Sequence, residues 1–403
     1  MTAATDVRAP VGPRMLVTGG GPSYAEHLAR HGALPVLAPG QLIAAVHEAR
    51  LTGRGGAGFP VWRKLETALA AGHSVVVANA AEGEPASVKD RSLLEANPQL
   101  VLDGLEMVAA AIGAERVVLA AREGASLVAA ERAVADRTVA RRGGVAVEVV
   151  PTPVRFLSGE ESALAQHVGG GPLLPRTAPV WASGVRGRPT LVHNVETLAQ
   201  IALVARYGAA WFAGVGNPES PGSMLFSVST AGRSGVRVVE APTGTPYAQV
   251  LAAAGVPAAP QALLVGGYHG AWLPSSALEL PATRVLLDNY DATAGAGVVV
   301  ALEAGVCPLD VAARIVGYLA EQNAGQCGPC VNGLPALAGQ MGRLIRGERG
   351  AARHLERYAA LVDGRGGCHH PDGTAGFVRS TLRTFTADVV AHGCGACAAR
   401  GDG

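Results

Sequence analysis

Through about residue 215 the chain alternates short aliphatic runs with amphipathic helical stretches: SVVVANA at 74–80, VLDGLEMVAAAIGA at 101–114 and RVVLAAR at 116–122. Brief apolar runs bounded by polar residues predict strands, and longer stretches with apolar residues three and four apart predict helices. That alternation implies α/β layering on a mostly parallel sheet. Proline and glycine then cluster in GVGNPESPGS, 214–223, a punctuation at which a new unit is expected to begin. The next segment reads SMLFSVST, RVVEAP, the helical PYAQVLAAAG, ALLVGG and GAGVVVALEAG, which implies a small α+β unit with its helix laid across one sheet face. From Asp310 onward the period turns helical, in DVAARIVGYLAEQN, NGLPALAGQMGRLIRG, ARHLERYAALVDG and GFVRSTLRTFTADVVAHG. Four such segments joined by short polar connections imply a helical bundle. The expected division is 1–215, 216–305 and 306–403.

Composition narrows the classes of function. With 403 residues, 49% apolar and 16% charged, the chain has the makings of a compact globular protein of two or three domains. A formal net charge of +1 gives no electrostatic reason to expect nucleic acid or an anionic membrane as partner. No apolar run approaches the roughly 18 to 20 residues of a membrane helix, and MTAATDVRAPVGPRM lacks the apolar core of a signal peptide, so the expectation is a cytoplasmic protein without direct membrane insertion. The six cysteines, at 307, 327, 330, 368, 394 and 397, crowd the last quarter, which in a reducing compartment favours metal ligation over disulfides. Of 33 basic residues only Lys64 and Lys89 are lysines. Lysine is a compact point charge where arginine is a planar fork, so an ammonium is a candidate requirement at both places.

Five stretches could carry chemistry. GRGGAGFPVWRK, Gly53 to Lys64, is bare enough to aim backbone N–H groups at a phosphate, with Arg54 and Lys64 adding charge; a glycine-rich surface turn is the plain alternative. NAAEGEPASVKDR follows the strand VVVA directly and puts Asn79, Glu82 and Glu84 where α/β sheets bind ligands, or forms an ordinary polar turn. FLSGEESALAQHVGG carries Gly159, Glu160 and Glu161 at an apparent helix start, a role that accounts for at least one of the two carboxylates. GRPTLVHNVETLAQ presents His193, Asn194 and Thr197 before another helix, and a histidine there is more often packed or on the surface than catalytic. In NAGQCGPCVNGLPALAG, Cys327 and Cys330 are spaced to share one metal centre or to form a redox pair, and Cys368 follows in GGCHHPDGTAGF.

These blocks in this order resemble the flavoprotein, NADH-oxidising subunit of respiratory complex I, a family that includes diaphorase subunits of NAD-linked hydrogenases and formate dehydrogenases. The likeness runs from about residue 40 to 385 and rests on GRGGAGFP, N-x-x-E-G-E-P-x-x-x-K-D-R, G-E-E-x-A-L and N-V-E-T-L. It implies a multidomain α/β plus α+β plus α fold: a Rossmann-like flavin domain, a β-grasp domain of the soluble-ligand-binding type and a helical bundle bearing one cluster. It further implies FMN contacts from Gly53, Arg54, Gly55, Lys64, Asn79, Glu82, Gly159, Glu160, Asn194 and Thr197. Phe59 would stack on the nicotinamide of NADH, with Glu84 and Glu161 lining the nucleotide pocket, and Cys327, Cys330 and Cys368 would hold a [4Fe-4S] cluster. Electrons would pass from NADH through FMN and the cluster to a ferredoxin-like or thioredoxin-like partner subunit.

The chain departs from the family pattern at several positions. Ala324 stands where the family has the first cluster cysteine, which leaves an unusual fourth ligand, a three-cysteine cluster or no cluster; Cys307, Cys394, Cys397 and His369 are the candidates for the fourth place. Phe156 replaces a tyrosine, Ala81 an aspartate and His193 an asparagine, while Ala178 and Trp181 replace a lysine and a phenylalanine at the nucleotide. The competing readings are a redox-inactive binding or scaffold protein on the same fold, and a flavoprotein with zinc or no metal at the cysteines.

Overall fold

A computed structural model describes residues 15–16, 23–72, 74–140, 145–256, 259–283, 287–394 and 397. The amino-terminal stretch read above for a signal segment lies, but for Met15, outside the described residues. Helices α1 (Tyr24–His31), α2 (Pro39–Glu48) and α3 (Val61–Ala71) lead into β1 (Val75–Ala80). There follow α4 (Lys89–Ala96), α5 (Pro98–Ile112), β2 (Arg116–Arg122), α6 (Ala125–Ala140), β3 (Val147–Thr152) and α7 (Glu161–Val168). A short α8 (Val180–Ser183), β4 (Thr190–Asn194), α9 (Val195–Tyr207) and α10 (Ala209–Ala213) complete this part.

Strands β1 to β4 make one parallel sheet in the order β3-β2-β1-β4. In β1, Val76, Ala78 and Ala80 pack with residues of α3, α5 and α9, whereas Val75 and Val77 pack with Leu164, Ala165 and Val168 of α7. Both faces are covered, so a strand such as β1 is apolar along almost its whole length and reads as an aliphatic run rather than an alternation. The order of strands reverses between β1 and β4, where Asn79 pairs with Asn194 at the carboxyl ends. A reversal of this kind splays the following loops apart and leaves a crevice.

The proline- and glycine-rich stretch forms a small hairpin, β5 (Gly216–Asn217) and β6 (Ser220–Pro221). Beyond it β7 (Ser223–Thr230), β8 (Val236–Pro242), β9 (Ala262–Val265), β10 (Ala271–Pro274) and β11 (Val298–Leu302) form a second sheet in the order β10-β9-β11-β7-β8. The β11–β7 pair is parallel and the others antiparallel. Helix α11 (Tyr247–Ala253) sets Tyr247, Val250 and Leu251 against Phe226, Leu263, Val265 and Val299. The alternate residues Leu264, Trp272, Val298 and Val300 face the opposite way, as the two-residue period of a strand requires. They pack on α12 (Pro308–Glu321), α13 (Leu334–Ile345), α14 (Ala351–Val362) and α15 (His369–Thr384). The last stretch expected as one helix divides at Phe385 (φ −110°, ψ 39°), giving α15 and α16 (Thr386–Gly393). The Phe385 ring sits edge-on to Trp272, 5.1 Å between centroids, so tertiary packing breaks a helix that local pattern would have continued. Among the described residues no helix is long and apolar enough to cross a membrane.

Candidate functional site

A cleft of about 750 Å³ opens where β1 and β4 end. Gly53, Gly55, Phe59, Lys64, Asn79, Glu82, Glu84, Gly159, Glu160, Glu161, Asn194 and Thr197 all line it, although they come from four separate stretches of sequence. Arg54 departs from expectation. Its guanidinium is buried and donates to the carbonyls of Pro221 and Ser223, each at 3.3 Å, and to the Thr52 hydroxyl, so it braces the loop from behind instead of charging the cleft wall. Its backbone N–H donates to Thr197 Oγ1 at 2.8 Å.

The glycine loop is held in a tight bend by the N–H of Gly53 donating to the carbonyl of Phe59 at 2.9 Å. Gly56 and Gly58 take φ of 121° and 67°, values that side-chain-bearing residues rarely adopt, and the loop thereby presents bare backbone to the cleft. Phe59, 46% exposed, stands on the wall shared with a second cavity of about 390 Å³ lined by Val180, Trp181 and Leu191. Lys64 belongs to both walls; its ammonium donates to Glu161 and to the Val192 carbonyl at 3.3 Å.

Several site residues also hold the backbone in place. Glu82 (φ 35°) accepts from the Ser87 hydroxyl at 2.8 Å and from the N–H groups of Asp90 and Arg91 at 2.9 and 3.2 Å, so it caps the first turn of α4. Burial, reinforced by Asp90, raises its carboxyl above the ordinary range. A Cβ on the adjacent Gly83 would fall 2.3 Å from the Phe156 carbonyl oxygen, so only glycine allows this turn to meet the loop before α7. Glu160 caps α7, accepting from the Ala163 N–H and the Ser162 hydroxyl at 2.7 Å each, which leaves Glu161 to face Lys64. Asn194 caps α9 through the Glu196 N–H at 3.0 Å and also accepts from Lys89 at 3.0 Å. Lys89 is buried against Asp90 at 2.7 Å and Glu196 at 2.9 Å; burial opposes its charge, but these carboxylates outweigh that and raise its pKa.

Lys89, Asp90, His193, His269, His369 and His370 also line the cleft, although none of them was among the expected flavin or nucleotide contacts. The scarcity of lysine pointed toward Lys89, whereas nothing in the sequence joined His269 to His370. His193 is packed as expected, and burial, aided by Lys64, lowers its pKa to about 3, so the ring is neutral. Its Nε2 has no hydrogen-bond partner among the described residues, which is the kind of orphaned polar atom a bound molecule satisfies.

The far end of the cleft abuts the cysteines. Phe156 packs on His269 and His370 with centroids 4.7 and 5.4 Å away. His370 Nε2 lies 2.8 Å from the Leu319 carbonyl and must donate to it, so its Nδ1 accepts from His269 Nε2 at 3.1 Å. Cys368 directly precedes α15 and His369. Cys330 lies within a π-helical turn, Pro329–Gly333, that opens α13, and Cys327 stands two residues before that turn. Burial would raise the Cys327 thiol, but hydrogen bonds from the N–H groups of Gly367 and Cys330 outweigh it and lower its pKa. Burial raises Cys368, with further contributions from Cys330, Glu160 and Cys327. The N–H that reaches Cys327 belongs to Gly367, which directly precedes Cys368, so the two stretches of cysteines are neighbours beside the cleft. Cys307 and Cys397, two of the candidates for a fourth ligand, are instead gathered with His392.

Redox chemistry on a bound cofactor beside a thiol-ligated metal centre is what this layout serves, and the class it defines is a flavin and iron–sulfur oxidoreductase. Residues 46–203 match the Nuo51 FMN-binding domain, and residues 310–392 the NADH-ubiquinone oxidoreductase-F iron-sulfur binding region. The F 2 subunit of the NADH-quinone oxidoreductase of Rhizobium meliloti (strain 1021) is 30% identical over 383 residues, 89% of this chain and 90% of that one. The HndC subunit of the NADP-reducing hydrogenase of Solidesulfovibrio fructosivorans is 29% identical over 382 residues, covering 88% and 76%. The crystal structure of an NAD+-reducing [NiFe]-hydrogenase in the H2-reduced state superposes with a TM-score of 0.79 at 29% identity, over 88% of this chain and 62% of that one. The chain therefore spans about three fifths of the solved hydrogenase chain it matches. It belongs to the family of NADH-quinone oxidoreductase F subunits. Its two matched regions make it an oxidoreductase with FMN and a [4Fe-4S] cluster as cofactors. The residues present fit FMN through a cleft walled by backbone at Gly53 and Gly55 and a His193 nitrogen unpartnered among the described residues; for the cluster, Cys327, Cys330 and Cys368 offer three of the four thiolates such a centre takes, Ala324 standing at the remaining position.

Proposed function

We propose that the chain oxidises NADH in the cleft and delivers the electrons singly through the cysteine-bound cluster to a partner subunit, itself of ferredoxin-like or thioredoxin-like kind. FMN, when bound, accepts an electron pair as hydride and releases it in single steps. The bare backbone of the glycine loop at Gly53 and Gly55, with Lys64, would border its phosphate and ribityl chain, and Asn79, Glu82, Gly159, Glu160, Asn194 and Thr197 would wall the ring. Phe59 would offer its exposed face to the nicotinamide, and Glu84 and Glu161 would orient the nucleotide. Cys327, Cys330 and Cys368 would ligate the cluster. In this reading residues 1–215 serve as a Rossmann-like flavin domain, 216–305 as a β-grasp domain and 306–403 as the helical cluster domain of a cytoplasmic protein.

The observation that carries the reading is adjacency: His369 and His370 line the cleft while Cys368 directly precedes them, so the electron exit lies at the end of the hydride site. The relatives are named as subunits of NADH-quinone oxidoreductase and of a hydrogenase, which supports the need for partner subunits. Anaerobically purified protein should show flavin and iron–sulfur absorbance that NADH bleaches. Lys64→Ala should weaken FMN binding by about 2 kcal/mol, the usual worth of a charge-assisted hydrogen bond, or roughly 30-fold in affinity. Colourless protein, or flavin that NADH leaves oxidised, would reject the reading.

A further inference from the structure

Cys307, His392 and Cys397 lie outside the cleft and outside the thiols assigned to the cluster, and their ligand atoms fall within 4.8 Å of one another. No other trio of His, Cys, Asp or Glu ligand atoms among the described residues meets that spacing. Cys307 Sγ stands 3.2 Å from His392 Nε2 and 3.9 Å from Cys397 Sγ. A tetrahedral ion with metal–sulfur bonds of about 2.3 Å and a metal–nitrogen bond of about 2.0 Å sets its sulfurs about 3.8 Å apart and sulfur to nitrogen about 3.5 Å apart. The observed separations lie close to both. The opposite ring nitrogen, His392 Nδ1, is 2.9 Å from the Ile345 carbonyl and must donate to it, which fixes the tautomer with a lone pair on Nε2, facing the thiols. His392 is 3% exposed, and all three cysteine and histidine ligands are of the soft or borderline kind that excludes calcium and magnesium.

We propose that Cys307, His392 and Cys397 form a structural zinc site, separate from the iron–sulfur cluster. Binding is a ligand exchange without redox change: the hydrated ion gives up water molecules to solvent, two thiol protons leave, two sulfur–zinc bonds and one nitrogen–zinc bond form in place of the zinc–water bonds, and the neutral imidazole keeps its Nδ1 proton. The two thiolates neutralise the ion, and the fourth position is open to water or to the exposed Cys394, two residues past His392. Cys307 directly precedes α12 and His392 lies in α16, so the ion would staple the first helix of the bundle to the last. The iron-sulfur region matched by the family ends at these points, residues 310 and 392, which leaves Cys307 and Cys397 outside it.

Zinc, iron and FMN content of the full-length protein, expressed with zinc and purified anaerobically, test the assignment. The expected result is one zinc per chain, lost in Cys307→Ser and in His392→Ala while iron and FMN stay at the wild-type level. Cys327→Ser should lose iron and keep zinc. Should the serine variant fold poorly, as read by loss of helical circular dichroism, Co2+ added to zinc-stripped wild-type protein should still give one equivalent of tetrahedral thiolate bands. Wild-type protein that takes up neither zinc nor cobalt, as with a Cys307–Cys397 disulfide, would overturn the proposal. So would zinc retained in Cys307→Ser, or iron lost from it with FMN intact, which would return that thiol to the cluster.

Discussion

At the scale of single residues, the cleft divides labour between neighbours that look equivalent in sequence. Glu160 is consumed by helix capping, while Glu161 one position on meets the ligand-facing ammonium of Lys64. Glu84 is the residue whose chemistry responds to pH. Its carboxylate accepts from the N–H groups of Tyr268 at 2.9 Å and Ala86 at 3.3 Å, yet burial outweighs these bonds and raises its pKa to about 7. In the unfolded chain a glutamate titrates near about 4.3. Between those values the folded chain holds a proton the unfolded chain has released, so this group's stabilising contribution declines as the pH rises through that window. With Glu84 at the nucleotide, as proposed, function runs the other way, because the ionised carboxylate accepts stronger, charge-assisted hydrogen bonds from hydroxyls than the neutral acid does. The KM for NADH should therefore rise as the pH falls through about 7, and Glu84→Gln should flatten the profile at its high-KM level. A wild-type KM that stays constant between about pH 6 and 8 would remove Glu84 from the nucleotide contact.

At the scale of elements, four helices are tied together beneath the parallel sheet by one carboxylate. Asp103 of α5 accepts from His27 of α1 at 2.8 Å, from Arg137 of α6 at 2.7 Å and from Arg206 of α9. Burial would raise its pKa, but these three partners hold it well below the carboxylate range. Removing one member of a buried ionic group leaves the others charged and unpaired, at a cost of about 3–5 kcal/mol. Asp103→Ala should lose that much stability in chemical denaturation while leaving the cleft residues untouched; a loss below about 1 kcal/mol would mean that water repairs the site. This network was illegible beforehand, since Asp103 lies inside a stretch read only as a helix and its partners are 34 to 103 residues away. The elements themselves were legible, because aliphatic runs such as RVVLAAR coincide with a buried strand, β2. The same contrast explains Arg54, whose loop is evident from glycine content while the direction of its side chain depends on the Pro221 and Ser223 carbonyls.

At the scale of the whole molecule, the two cofactor sites rest on different apolar clusters. The parallel sheet and its helices form two apolar clusters, one on each face, whereas the bundle shares its core with one face of the second sheet. Ala86 and Phe156 belong to that bundle core although they stand on loops of the cleft, so the loops after β1 and before α7 couple the flavin site to the cysteines. Family motifs made the cleft residues legible one by one, but the histidine-lined passage toward Cys368 arises only when the β9–β10 loop, carrying His269, meets the start of α15. Separate cores imply that the sites can be emptied separately. Cys327 is only partly buried and contributes nothing to the bundle's apolar cluster, so Cys327→Ser removes a ligand without opening a cavity. Iron should fall to background in that variant, since thiolate is the ligand such clusters require, while FMN content and its bleaching by NADH remain at the wild-type level. Unchanged iron would displace Cys327 from the cluster. Simultaneous loss of FMN would show instead that cleft and bundle fold as one unit, coupled through Phe156.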